Sequence, residues 1–198
     1  MEGVMKKFQG KFLKVREQLN RWDELQSCLI SQFRSASSII DRLQVLQNPS
    51  SYGCLSCNCN VRDALLANQM KSLDNILVSM RSTLEEFRNI VLFLEKTHHD
   101  SRQLVKGSST RSNMKHLQQQ VGVKPTLMDC LDGLLFLHDV HHSEYLLKSS
   151  IISTLSANAL KKPSSGDLVA IQQLLVDQPN LLIEEVQRVF DIIFAEEL

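Results

Sequence analysis

The residues in this chain best suited to chemistry are thiols and imidazoles, and both are clustered. Cys54-Leu55-Ser56-Cys57-Asn58-Cys59 has the two-residue gap that lets two thiolates grip one zinc ion, with a third thiolate close behind. A structural zinc site takes four ligands, and neither Cys28 nor Cys130 has the local company that would make it the fourth. Cys54, Cys57 and Cys59 thus stand as metal candidates of an incomplete set, against the simpler reading of a loop with unconstrained thiols. Five cysteines make an odd set for a disulfide framework, so reduced thiols are expected.

His138-Asp139-Val140-His141-His142 places His138 and His142 one helical turn apart, where both rings could meet one metal. The segment lacks the zincin arrangement, in which a Glu follows the first His and serves as base, and a polar stripe on a bundle helix is the expected role. His98-His99 fits the end of a helix, where imidazole interacts favourably with the dipole. No phosphate-cradling glycine loop, serine nucleophile elbow or strand-borne cofactor fingerprint occurs, so the expectation is a protein without catalytic residues or cofactor.

The elements that carry these residues are marked out by Pro49, Pro125, Pro163 and Pro179, which fall at the boundaries of apolar-periodic segments. Phe8, Phe12, Val15, Leu19, Trp22, Leu25, Leu29, Phe33, Ala36, Ile40 and Leu43 recur at three- and four-residue steps and predict one long helix. Counted only from residue 11 to 47, it would be a rod of roughly 55 Å. A compact globule of this chain length would measure about 42 Å across. A second helix is predicted from Asn60, which stands three residues before Asp63 as its cap, with Leu73, Leu77, Met80, Leu84, Phe87, Val91 and Leu94 forming a coiled-coil-like seam. That seam either lines an intramolecular bundle or is reserved for a partner chain, the first being the simpler reading.

Residues 101–124 hold five basic residues and no acidic one, together with a Gly-Ser-Ser-Thr stretch, and read as a basic flexible linker. A third helix opens at Pro125-Thr126, where Thr126 and Asp129 can cap reciprocally, and runs to about Ser153 with Gly133 permitting a close helix contact. A short helix follows Ser164, through Leu168, Ile171, Leu174 and Leu175, and a last one opens at Pro179-Asn180. The fold class predicted is an all-α, elongated bundle of about four main helices with a short additional one. Its parts are an antiparallel hairpin over 1–100, a linker over 101–124, and helices over 125–198 that pack on the hairpin as a single domain.

Composition bounds the function classes. The chain has 198 residues, 43% of them apolar, too many for a disordered polymer. Its 22 Lys plus Arg balance 22 Asp plus Glu, which argues against a protein that coats phosphate backbone. Neutrality is nonetheless an average over a basic beginning with Lys6, Lys7, Lys11, Lys14, Arg16 and Arg21 and an acidic last helix. With no signal-like start and no uncharged apolar run, a soluble intracellular protein is expected.

Leu131-Asp132-Gly133-Leu134-Leu135, Tyr145-Leu146-Leu147-Lys148-Ser149-Ser150-Ile151, Gly166-Asp167-Leu168 with Ile171-Gln172, and Phe194-Ala195-Glu196-Glu197 resemble, in order and spacing, the AIRIM family of ribosome maturation factors, also described as casein kinase substrates. Trp22 on the long first helix and Leu73-Asp74-Asn75-Ile76-Leu77 fit the same layout. The resemblance implies a helical, non-enzymatic adaptor in large ribosomal subunit maturation, associated with an AAA ATPase of the valosin-containing-protein type and a second helical subunit. It also implies indirect contact with the pre-ribosomal particle, no sequence-specific nucleic-acid binding, and residence in nucleus or nucleolus and cytoplasm. Tyr145, Leu146, Leu147, Gly166, Asp167 and Leu168 would then be packing or contact positions, as would Trp22, Leu77 and Leu84. The cysteine loop and the length of the basic linker depart from the family pattern. The alternative reading is a structural coiled-coil subunit of a cytoskeletal or chromosome-segregation complex.

Overall fold

A computed structural model describes residues 2–48, 59–108, 125–158 and 165–195 of the chain. Those residues form five helices and no strand: α1 Glu2–Gln47, α2 Cys59–Ser108, α3 Leu127–Asn158, α4 Ser165–Asp177 and α5 Ile183–Ile193. The all-α prediction therefore holds. α1 takes in Gly10 without a break, because the position is exposed and nothing lies within 4 Å of where a side chain would begin. α2 continues through the first eight residues of the segment expected to be a linker, with Ser101 and Val105 buried on its inner face. The remainder of that segment, from 109 to 124, lies outside the described residues.

Two compact units make up the chain. The first comprises residues 1–23, 87–145 and 179–198; the second comprises 24–86 and 146–178. In the first unit Phe8, Phe12, Val15, Leu19 and Trp22 of α1 are buried, as are Phe87, Val91 and Leu94 of α2. In the second, Leu25, Leu29, Phe33, Ala36, Ile40 and Leu43 are buried with Leu73, Leu77, Met80 and Leu84. Every predicted core position on these two helices is thus interior, and the seam of α2 is closed within its own chain. α1 and α2 run antiparallel: in the second unit Gln32 bonds Ser79 and Thr83 while Arg62 donates to the carbonyl oxygen of Leu46 at 3.2 Å. In the first unit Lys11 donates to Ser101 at 2.9 Å.

The start of α3 is capped as its sequence predicts. The Thr126 amide donates to the Asp129 carboxylate at 2.8 Å, and the Asp129 amide donates to the Thr126 hydroxyl at 3.0 Å. Its buried stripe differs from the face that the apolar residues Leu127, Leu131, Leu134, Leu135, Leu137, Tyr145, Leu146 and Ile152 suggest. The interior positions are Cys130, Leu134, Leu137, His141, Glu144, Lys148, Ile151 and Leu155, a four-three alternation with three polar residues at its centre, and Ile152 is buried beside it. Leu135 and Leu146 face outward instead. α4 ends at Asp177, followed by Gln178, whose φ of 45° is the left-handed turn that stops a helix, and then Pro179. α5 begins at Ile183, later than Pro179-Asn180 suggested, because Asn180 is held in a turn: its amide and its Nδ2 both donate to Glu144, at 3.2 and 3.1 Å.

Candidate partner-binding surfaces

The singled-out residues separate into interior and surface. Trp22 is buried, with its ring 4.5 Å from that of Phe87 and 4.8 Å from that of His141, both edge-on. The His141 Nδ1 in turn lies 2.7 Å from the carbonyl oxygen of Leu137, which fixes the ring against the indole. Leu77, Leu84 and Leu168 are also buried, and these four are packing positions. Tyr145 and Leu147 are half-buried, while Leu146, Gly166 and Asp167 are exposed and open to contact.

The metal candidates Cys54 and Cys57 lie outside the described residues, as does the side chain of Cys59. Among the described residues no group of three or more His, Cys, Asp or Glu side chains is placed to hold a metal ion. His138 and His142 stack at 5.5 Å, and His138 Nδ1 contacts the Asp139 carboxylate at 2.9 Å. His98, near this pair, is held below the usual imidazole range, first by burial, then by Arg102 and His138, with Asp139 opposing and His99 adding a little. Cys130 sits fully inside the first unit, where burial and then the Asp129 carboxylate push its thiol up to about 12. Such a thiol is inert.

The charged ends meet within the first unit in a way that carboxylate pairing would not suggest. The Arg16 guanidinium lies over the rings of Phe190 and Phe194, at 4.8 and 5.0 Å. Lys11 is drawn below the ordinary lysine range by burial, partly offset by Asp100.

A surface feature not anticipated from periodicity is α4. Leu168 and Leu175 fill the core of the second unit, and the buried Gln26 donates its Nε2 to the Leu175 carbonyl oxygen. About a third of a turn around the same helix, Val169 is 66% exposed and Val176 41% exposed, while Leu174 is open on the opposite flank of the buried stripe. α4 is therefore apolar on two faces and buries one. The signal was present in Leu168-Val169-Ala170-Ile171 and Leu174-Leu175-Val176, whose apolar positions exceed a single face. No described helix is long and apolar enough to cross a membrane.

Fold and surfaces together define an all-α protein of paired long helices with an unfilled apolar helix face. The chain matches, over residues 2–198, the family model described as CA109-like, ribosome biogenesis protein C1orf109-like. It belongs to that family, the AIRIM family whose sequence features it carries. Comparison with curated proteins gives no match.

Proposed function

We propose that this ribosome biogenesis protein is a non-enzymatic adaptor that couples an AAA ATPase of the valosin-containing-protein type, together with a second helical subunit, to maturation of the large ribosomal subunit. The observation that carries the reading is the two-faced α4: a helix that buries Leu168 and Leu175 yet leaves Val169, Leu174 and Val176 in water suits an apolar helix supplied by a partner. Family membership supplies the ribosomal setting. In this reading the ATPase performs the catalysis, the adaptor supplies position, and the complex works in the nucleolus, nucleus and cytoplasm. Depletion of the chain should accumulate large-subunit precursors, which re-expressed wild-type chain should clear and Val169→Asp/Val176→Asp should not. Normal precursor levels after complete depletion would overturn the proposal.

A further inference from the structure

In the second unit a groove runs between α1 and α2, lined by Arg34 and Arg42 on one side and by Gln69, Ser72 and Ile76 on the other. It is separate from the open face of α4 and owes nothing to the adaptor reading. No acidic residue lines it. Arg42 donates its Nε to the carbonyl oxygen of Ser38 at 3.2 Å, which aims the guanidinium and leaves its two terminal amino groups without a partner among the described residues. Arg34 has no hydrogen bond or ion pair among them at all. Two uncompensated guanidiniums with free donor edges are what carboxylates or phosphates complement best.

The other groups in the groove separate those two chemistries. Ser35 and Ser72 spend their hydroxyl protons on their own helices, donating to the carbonyl oxygens of Ser31 and Asn68 at 3.0 and 2.9 Å, and so present lone pairs to a ligand. The Gln69 Oε1 is buried and lacks a hydrogen-bond partner. Acceptors of this kind ask for N–H donors, which the amide and amine side chains of a peptide carry and a phosphate group does not. The lining contains no aromatic side chain on which a base could stack. Arg34 and Arg42 are eight residues apart, about 12 Å along a helix, the rise between residues seven or eight positions apart on a partner helix.

We propose that this groove binds an acidic helical peptide segment of another protein, with two of its carboxylates seated on Arg34 and Arg42 and side-chain N–H donors on Gln69 and the serine oxygens. The test selects ligands for the full chain from a phage-displayed library of 16-residue helical peptides randomised on one face, counter-selected on Arg34→Ala/Arg42→Ala. Recovered peptides should carry two acids seven or eight positions apart and lose at least tenfold in affinity for the double variant, whose circular dichroism should match wild type because both arginines are exposed. Arg34→Lys/Arg42→Lys should fall between the two, since an ammonium lacks the fork. Recovery of no peptide that depends on the two arginines would overturn the proposal. So would a 12-nucleotide oligouridylate that binds through them at least as tightly as the best peptide, which would assign the groove to RNA.

Discussion

Cys130 and Cys28 are both single thiols on helices, and their surroundings give them opposite fates. Cys28 is exposed, while Cys130 is enclosed by the first unit with its thiol pushed up to about 12. Iodoacetamide at pH 8 should label Cys28 in the folded chain and reach Cys130 only after denaturant is added, as peptide mass mapping would show. The same displacement bears on stability. As pH rises above 9 the unfolded thiol ionises first, so the contribution is complete below pH 9 and is lost between 9 and about 12, by about 1.4 kcal/mol per pH unit. A Cys130→Ala chain should lack that part of the alkaline decline in urea-denaturation experiments. His98 moves the other way: its imidazole titrates below the ordinary value, and NMR titration of Arg102→Ala should find it raised. None of these shifts could be read from the sequence. The motif at 138–142 advertises paired histidines, yet it is His141, between them, that is buried against Trp22. Only the packing of a neighbouring helix decides which imidazole turns inward.

The interior faces of α1 and α2 were legible because most of their buried positions are apolar, with Gln26, Thr83, Thr97 and Ser101 the exceptions, so the three-four spacing of Phe, Leu, Ile and Val marks the face directly; the extension of α2 to Ser108 was not. α3 was legible at its cap and at Gly133, but its face was obscured by His141, Glu144 and Lys148 occupying interior positions of the same alternation. Those groups are stabilised by partners distant in sequence, including Asn180 for Glu144 and, at 3.3 Å, Gln178 for Lys148. Glu144→Ala should destabilise the chain by about 2 kcal/mol in urea melts, because Asn180 loses the acceptor that holds the turn before α5. Gly133 marks a close approach: a methyl group there would come within 2.9 Å of the Val189 Cγ1 and 3.5 Å of Phe12. Gly133→Ala should cost about 1–2 kcal/mol net, after the helix-propensity gain, and Val189→Ala in the same chain should recover part of the loss. Gly10 is the contrasting case. It lies in open space on α1, so Gly10→Ala should raise stability by about 0.5–1 kcal/mol, seen as a higher Tm.

At the level of the whole chain, neutrality divides into distinct local arrangements. The basic first turns of α1 meet α5 through aromatic rings under Arg16, while Arg34 and Arg42 are left without carboxylates in the second unit. Membership in a ribosome biogenesis family was legible because the short motifs after Pro125 are spread over the chain in a fixed order. The open face of α4 was not, since Val169 and Val176 look the same in sequence whether a helix buries one face or two. In the proposed function this face recruits the ATPase-bearing partner. Quantitative mass spectrometry of the tagged chain captured from cells, wild type beside Val169→Asp/Val176→Asp, tests it most directly. The account predicts an AAA ATPase and pre-ribosomal proteins with the wild type, and at least a tenfold loss of the ATPase with a variant that keeps its helical circular dichroism. Equal recovery of the ATPase by both chains, or none by the wild type, would contradict it.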